Sequence, residues 1–318
     1  MEMAKQKSGI QVRRKKSALA LLVSCLFLVL SVVSAQARQV VDQTGETIDL
    51  PTEPVRVVSL APNLTEMIFS LQAGDKLAGA TRFSNFPEAA KKLPRVGSYI
   101  QLDLEKIVAL QPDLCLATKD GNPRHTIEAI RSLGIPVFAI DPRTIDQIMD
   151  SFLLLGDLLG ASERAEELVS ELQQRIALVQ KKVAASRDRP AVFFQINDMP
   201  IVSSGKNSFI DRLITLAGGV NLAGSMTGYP RYSWEMLVSL QPEVVLISCM
   251  AGNISPELLK KPWKQWPEIP AVRNNRLYVV ETDLFNLPTA RLIDGLEILS
   301  GILHPELYSK APERSGGQ

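Results

Sequence analysis

The sequence contains few of the side chains that metal receptors and redox enzymes need. Its 318 residues include two histidines, His125 and His304, and three cysteines, no two of which form a C-x-x-C pair. A zinc or manganese site needs several histidine or carboxylate ligands close together. The sequence therefore disfavours direct capture of a metal ion, and it disfavours a dithiol redox enzyme.

Signatures of other enzyme classes are missing as well. The sequence has no G-x-S-x-G nucleophile elbow. Residues 203–208 are similar to part of a phosphate-binding loop, but the required G-x-x-x-x-G-K-[ST] spacing is absent. We interpret this segment as a turn between a strand and a helix. We predict a protein that is not an enzyme and that has no cofactor and no resident metal.

The sequence has no large excess of either charge, with 35 Lys and Arg against 34 Asp and Glu. No basic patch indicates a nucleic-acid partner. One long apolar run, residues 18–35, follows six basic residues and leads into Ala35-Gln36-Ala37. This pattern is typical of a secretory signal peptide, here residues 1–37. Without them the chain has 29 bases and 33 acids, a net charge of −4, and we expect an exported protein.

Two alternatives remain for this N-terminal segment. The apolar run approaches the length of a transmembrane helix, so it is a candidate for an uncleaved anchor. The tetrapeptide ending at Cys25 also matches a lipobox, which would place a lipid anchor on Cys25. At the other end, residues 306–318 are predicted to be a flexible tail. Cys115 and Cys249 lie in apolar runs and are expected to be buried free thiols, although export would permit a disulfide.

The chain contains an internal duplication. The segment 103–114 reappears 130 residues later as 233–244, and both copies continue into apolar residues. A second pair agrees in order, because Val57-Val58-Ser59 followed by Leu77-Ala78-Gly79 resembles Ile201-Val202-Ser203 followed by Leu222-Ala223-Gly224. The sequence thus predicts two similar halves.

Each half alternates strand-like and helix-like segments, with Asn63, Asp103 and Ser233 as candidate helix caps. This alternation favours an α/β fold with two Rossmann-like lobes and parallel sheets. The predicted strands are 56–60, 114–117, 136–140, 191–196, 244–247 and 277–280, and the predicted helices are 63–71, 103–111, 124–133, 209–217 and 234–240.

A long helix is predicted between the halves. Residues 162–186 contain no Gly or Pro, and Leu168, Leu172, Ile176 and Val179 recur at helical spacing. A helix of this length spans about 37 Å at 1.5 Å per residue. We therefore predict an N-terminal lobe over residues 38–160, a connecting helix over 161–188 and a C-terminal lobe over 189–305.

The first strand, the repeated motif and the connecting helix together resemble the helical-backbone (class III) periplasmic binding proteins. This family serves cobalamin, haem and ferric siderophores, and the likeness is greatest to its cobalamin-binding members. The resemblance implies a monomer that delivers its ligand to the permease dimer of an ABC importer. It further implies that Glu105 and Glu235 dock onto arginines of the two permease subunits. Alternatively, both glutamates only stabilise the N-terminal turns of their helices.

The resemblance places the ligand between the lobes and implies a corrinoid. Tyrosine is an axial ligand of haem in some proteins, so haem stays open, as do ferric siderophores. Arginines in the same loops could pair with propionate, phosphate or siderophore carboxylates. An interaction protein without a small ligand is the alternative from another class. The candidate ligand-binding residues are Phe83, Tyr99, Tyr229, Arg82, Arg231, Asp283 and Phe285.

Overall fold

The chain is organised around two β-sheets that follow one another in the sequence. The structure is a computed structural model that describes residues 38–50, 53–248 and 255–308. A hairpin of β1 (Arg38–Val41) and β2 (Thr47–Leu50) precedes the first sheet. The predicted signal peptide, Cys25 and Cys249 lie outside the described residues.

The first lobe is a parallel sheet flanked by helices. Its elements are β3 (Val57–Ser59), α1 (Pro62–Ser70), β4 (Leu77–Ala80), α2 (Leu104–Ala109), β5 (Leu114–Thr118), α3 (Arg124–Ser132), β6 (Val137–Ile140) and α4 (Ile145–Leu158). The strand order is β4-β3-β5-β6, and every pairing is parallel. The strands are almost wholly buried, as expected for a sheet covered on both faces.

One long helix, α5 (Ser162–Val183), connects this lobe to the second. Its 22 residues make it about 33 Å long, three residues shorter than predicted. Leu168, Leu172 and Val179 of the predicted apolar stripe are buried, and Ile176 is partly buried. On the second-lobe side, Arg175 donates hydrogen bonds to Glu297 at 2.9 and 2.8 Å and to Asp294 at 2.6 Å.

The second lobe is also a β-sheet with helices, but it has more strands and a different strand order. Its elements are β7 (Ala191–Asp198), β8 (Ile201–Ser203), α6 (Phe209–Leu216), β9 (Val220–Asn221), β10 (Arg231–Tyr232), α7 (Trp234–Leu240), β11 (Val244–Ile247), α8 (Pro256–Lys260), α9 (Pro270–Arg273), β12 (Leu277–Val279), α10 (Thr282–Asn286) and α11 (Leu292–Leu303). The strand order is β10-β8-β7-β11-β12, with β9 also paired to β7.

The second sheet is mixed, whereas a parallel sheet was predicted. The connection from β7 to β8 is only Met199-Pro200, and so short a link joins only antiparallel strands. The predicted equivalence of 57–59 with 201–203 is therefore wrong. The place of β3 beside β5 is taken in the second lobe by β7 beside β11, in parallel register.

The strongest part of the duplication is matched in local structure. Asp103 and Ser233 accept hydrogen bonds from the backbone N–H groups of Lys106 and Met236, so both predicted caps are confirmed. Gln111 and Gln241, which follow the two helices, both adopt left-handed backbone, with φ of 47° and 50°.

The predicted cap at Asn63 is wrong. Helix α1 begins one residue earlier at Pro62, which suits the first helical position because it lacks an N–H group. Ala61 stands at the cap position without a side-chain hydrogen bond. Asn63 therefore lies inside the first turn and is buried.

A single hydrophobic cluster runs through both lobes and α5. It contains Leu116 and Phe138 of the first sheet, Phe194 and Leu246 of the second, and Leu172 of the helix. The described residues of the two lobes and α5 belong to one compact unit. This packing fixes the lobes to a common helix, while the exact lobe boundaries predicted from the sequence stay a prediction.

Three further sequence expectations concern termini and thiols. Cys115 is a buried free thiol on β5, and burial raises its pKa to about 12. Residues 305–307 form a 3₁₀ turn, and the Tyr308 hydroxyl lies 2.6 Å from that of Ser300, so residues 306–308 of the predicted flexible tail are ordered, and the other residues of that tail lie outside the described ones. Within the described ranges, no helix is both long and apolar enough to span a bilayer.

The shared core predicts that two leucines of α5 contribute very differently to the free energy of unfolding. Leu172 is 2% exposed and Leu178 is 66% exposed. We expect Leu172→Ala to lower the free energy of unfolding by about 2–5 kcal/mol because it leaves a cavity between the lobes. Leu178→Ala, the matched control, should change it by less than about 0.5 kcal/mol. Urea unfolding measures both, and equal effects would contradict the shared core.

Candidate functional site

A cavity of about 830 Å³ lies between the two lobes. Its first-lobe wall is formed by segments that follow the carboxyl ends of β3, β4, β5 and β6, and its second-lobe wall includes the segment after β12. Ligands of open α/β sheets bind at this edge. The lining residues are Ala61, Pro62, Asn63, Phe83, Asn85, Tyr99, Thr118, Asp120, Gly121, Asp141, Pro142, Ile196, Phe209, Ile210, Tyr229, Glu281, Thr282, Asp283, Asn286, Leu287 and Pro288.

Aromatic side chains stand on both sides of the cavity. Phe83 and Tyr99 of the first lobe meet edge to face, with ring centres 5.9 Å apart at 60°. Tyr229 faces them from the second lobe. Phe83 and Tyr229 keep 47% and 61% of their surface exposed, so both rings are available for contact with a ligand. All three residues were predicted as ligand-binding residues, and the structure brings them to one cavity.

The loop that carries Tyr99 is closely tied to its surroundings. Gly97 allows the turn with a φ of +99°, and the N–H of Ser98 donates to the carbonyl of Gln101 at 2.9 Å. The side-chain amide of Asn122 donates to the Tyr99 carbonyl at 2.9 Å and to the Leu60 carbonyl at 2.8 Å. Asn122, which is 6% exposed, therefore joins this loop to the end of β3.

Asn122 was not predicted from the sequence. A single asparagine in a Gly-Asn-Pro turn carries no signal that separates a buried loop anchor from an ordinary turn residue.

Carboxylates dominate the polar part of the cavity wall. Asp120, Asp141, Glu281 and Asp283 line it. Arg143 forms ion pairs with Asp120 and Asp141, in the latter case at 2.7 Å, but it does not line the cavity itself. Of these carboxylates only Asp283 was predicted, because the strand ends that gather them come from distant parts of the chain.

The electrostatics of the cleft affect Tyr229 directly. Partial desolvation raises the pKa of its phenol, the negative charge of Asp120 raises it further, and Arg143 opposes this. Tyr229 therefore stays a neutral phenol over the physiological range.

Three predicted residues lie away from the cavity wall. Arg82 is exposed and does not line the cavity, and its guanidinium carbon lies 4.8 Å from the Phe83 ring centre. Arg231 is exposed on β10 and does not line the cavity. Phe285 is 1% exposed and packs against Phe194, with ring centres 5.8 Å apart.

The placement of Phe285 follows from the geometry of α10. Asp283 and Phe285 are two residues apart on this helix, so they point to opposite sides. Asp283 lines the cavity and Phe285 lies in the core. The structure thus places Phe285 where it holds α10 in position rather than where it contacts a ligand.

A buried carboxylate lies close to the cavity without lining it. Glu66 of α1 is 4% exposed, and Nη1 of Arg291, from the second lobe, lies 3.3 Å from its Oε1. Burial raises the pKa of Glu66 to about 7, Arg291 opposes this, and Asp283 adds to it. Sequence analysis did not identify Glu66 or Arg291, because they are 225 residues apart.

The two candidate docking glutamates occupy equivalent positions. Glu105 and Glu235 are exposed in the first turns of α2 and α7. A hydrogen bond with Ser233 lowers the pKa of Glu235. In each lobe the glutamate follows a cavity tyrosine by six residues, Tyr99 in the first and Tyr229 in the second.

Metal-ligating side chains do not gather in this site. Across residues 38–50, 53–248 and 255–308, no group of three or more His, Cys, Asp or Glu side chains is arranged to hold an ion. The wall therefore presents aromatic rings and separate carboxylates to the ligand.

Comparison with known proteins places this geometry in a family. Residues 57–284 match the family model described as periplasmic binding protein. The vitamin B12-binding protein of Vibrio campbellii is 31% identical over 242 residues, which are 76% of this chain and 86% of that protein.

Two solved structures are similar over most of the chain. The periplasmic vitamin B12-binding protein BtuF of Vibrio cholerae is 29% identical, with a TM-score of 0.70 over 82% of this chain and 100% of its own. A periplasmic heme-binding protein from Pseudomonas aeruginosa is also 29% identical, with a TM-score of 0.72 over 79% of this chain and 93% of its own. The resemblance predicted from the sequence is confirmed, and the chain belongs to the periplasmic binding protein family with the helical-backbone, class III fold.

Proposed function

We propose that the protein is the ligand-binding component of an ABC importer and that it captures a corrinoid between its lobes. The observation that carries this proposal is the cavity between the lobes, with Phe83 and Tyr99 on one wall and Tyr229 on the other. Rigid aromatic rings desolvate a broad, flat ligand at little cost in side-chain entropy. A tetrapyrrole-like macrocycle is the ligand class that such walls suit.

The charge of the wall favours a corrinoid over haem. Haem carries two propionates, which would face a wall lined by Asp120, Asp141, Glu281 and Asp283. The paired cations Arg143, Lys119 and Arg291 offset only part of this negative charge. Like charges brought together in a partly desolvated site repel each other. The edge of a cobalamin corrin carries neutral amide groups instead, and their N–H groups can donate to carboxylates. The vitamin B12-binding relatives support the same ligand, whereas the heme-binding neighbour keeps haem as the comparison to test.

The same cavity supports binding and release rather than catalysis. The wall holds no histidine, and no cysteine or metal site is present among its lining residues. The relatives named above are binding proteins. We therefore propose that the ligand leaves unchanged, and that the protein acts as a monomer.

We further propose delivery to a membrane permease outside the cytoplasm. Glu105 and Glu235 stand at matching points of the two lobes, so they offer paired negative charges to a two-fold symmetric partner. Residues 1–37 would direct export to the periplasm, either by cleavage after Ala37 or by lipid attachment at Cys25. The mass of the mature protein distinguishes these two routes.

The ligand proposal predicts the effect of removing an aromatic wall. Tyr99→Ala and Tyr229→Ala should each weaken cyanocobalamin binding by about 5- to 100-fold, which corresponds to about 1–3 kcal/mol of lost contact. Tyr308→Ala is the matched control and should bind like the native protein, because this tyrosine lies beside Lys182 of α5 and does not line the cavity. Quenching of tryptophan fluorescence measures all three.

Haemin is the second ligand in the same titration. Native protein that binds haemin but not cyanocobalamin would contradict the corrinoid proposal and favour the haem alternative. Two results would contradict the tetrapyrrole class as a whole. In one, the protein binds neither cyanocobalamin nor haemin; in the other, it binds a ferric hydroxamate.

The docking proposal predicts a loss of transport without a loss of binding. Glu105→Lys combined with Glu235→Lys should abolish ligand uptake in cells, because both charge pairs with the permease become repulsive. Cyanocobalamin affinity should stay unchanged, since neither glutamate lines the cavity. The control is Glu163→Lys with Glu268→Lys, which changes the net charge equally at exposed sites elsewhere. Uptake by the first double variant equal to that of the control would refute docking through these glutamates.

A further inference from the structure

One arginine connects the two lobes beside the cavity. Arg291 precedes α11 of the second lobe, and its Nη1 lies 3.3 Å from Oε1 of Glu66 in the first. Its guanidinium carbon lies 4.1 Å from the centre of the Phe86 ring, also in the first lobe. Its Nη2 donates a hydrogen bond of 2.9 Å to Oε1 of Glu281 on the cavity wall. A single side chain therefore contacts both lobes and the wall.

Arg291 and Glu66, the two partners of this contact, both belong to packed helices. Arg291 stands at the cap position of α11, which packs against both α5 and α10. Glu66 lies within α1, in a run of six consecutive buried residues. The side chains of Arg291 and Glu66 are only 16% and 5% exposed. Low exposure restricts the rotamers that both side chains can adopt.

The charges around Glu66 come from the second lobe. Arg291 and Asp283 face its carboxylate, and the Thr289 hydroxyl lies beside it, while Glu281 faces the opposite side of the Arg291 guanidinium. Oε2 of Glu66 accepts no hydrogen bond from the described residues. The second lobe thus covers a carboxylate of the first, and Arg291 supplies the compensating positive charge.

Arg291 does not line the cavity, so its contribution differs from that of the aromatic walls. The guanidinium is planar and delocalised, so it can pair with two carboxylates and stack on a ring at once. A lysine at this position would keep the charge but lose the stacking and the fork geometry. The arrangement at residue 291 therefore depends on arginine in particular.

We propose that Arg291 is a positioning residue that sets the separation of the cavity walls without touching the ligand, by holding Glu66 and Phe86 against Glu281. The consequence for ligand binding rests on the proposed function above. The consequence for the distance between the lobes does not, because it concerns the ligand-free protein.

The test measures the distance between the lobes directly. Nitroxide labels are placed at Lys92→Cys and Lys264→Cys, which are exposed residues of the first and second lobes, in a background that carries Cys25→Ser and Cys249→Ser. Cys115 is fully buried and is not labelled in the folded protein. Pulsed electron spin resonance then gives the distribution of distances in native protein, Arg291→Met, Arg291→Lys and the control Arg273→Met, an exposed arginine of the same lobe.

The distances should change only when the arginine between the lobes is altered. At pH 8, Arg291→Met should show a several-fold larger population at long distance than the native protein, and Arg291→Lys an intermediate one. The double variant Arg291→Met with Glu66→Gln should show a smaller long-distance population than Arg291→Met alone, because the amide removes the cost of an uncompensated buried carboxylate but does not restore the contacts with Phe86 and Glu281. Arg291→Met equal to Arg273→Met, with circular dichroism showing both folded, would overturn the proposal.

The pH dependence of the distance between the lobes distinguishes the proposed positioning role of Arg291 from a merely structural one. Separation of the lobes returns Glu66 to water and its pKa falls from about 7 towards the ordinary value of 4.5. The closed form therefore holds the proton more tightly, and its advantage declines as the pH rises through about 7. The long-distance population of the native protein should grow between pH 6 and 8, and Glu66→Gln should show no such change. A pH dependence that persists in Glu66→Gln would overturn the assignment of this carboxylate.

The effect of Arg291 on ligand binding is measured by the rate at which cyanocobalamin is released. Arg291→Met should release cyanocobalamin about tenfold faster with little change in association, because walls whose separation is no longer held let the bound ligand escape more readily and most affinity differences lie in the dissociation rate. An unchanged rate of release would contradict the effect on binding. If native protein binds no cyanocobalamin, the proposed function fails, and the label distances still decide the role of Arg291.

Discussion

The packing of both lobes onto one helix is the constraint on which the rest of the structure depends. Helix α5 lies against α4 of the first lobe and against α6 and α11 of the second, and its buried leucines belong to a core that is continuous through both. Because a helix is stiff along its axis, the lobes keep a nearly fixed spacing at this end. The cavity at the strand ends can therefore exist as a preformed space before a ligand arrives.

The wall of that space combines two kinds of chemistry. Aromatic rings at Phe83, Tyr99 and Tyr229 provide flat apolar area. Four carboxylates give the polar part a negative charge, which is partly offset by the cations paired with three of them, Arg143, Lys119 and Arg291. Flat area alone would suit any macrocycle. The charge is what separates macrocycles with neutral amide edges from those with carboxylate edges, so the carboxylates carry the selectivity in our proposal.

The sequence predicted most of the fold because its signals are local or repeated. The 130-residue offset and the uninterrupted helical period of Leu168 and Leu172 need no knowledge of distant contacts. The errors at Asn63 and at β8 arose where one neighbouring residue decides the outcome. Pro62 starts the helix earlier than the asparagine does, and the two-residue link after Asp198 reverses the strand.

The site was less predictable, for a physical reason. The aromatic residues were found through resemblance, whereas Asp120, Asp141 and Glu281 reach the cleft only because parallel strands end at one edge. No local pattern distinguishes an aspartate after a strand from one in a solvated turn. Phe285 shows the converse, since two positions along α10 separate a cavity residue from a core residue.

The most direct test of the central claim is a crystal structure of the protein grown with cyanocobalamin. Our account predicts one ligand per chain, with the corrin between the ring of Tyr229 and the pair formed by Phe83 and Tyr99, and with corrin amides within hydrogen-bond distance of the wall carboxylates. An empty cavity at saturating ligand, or a ligand bound elsewhere on the surface, would contradict the account.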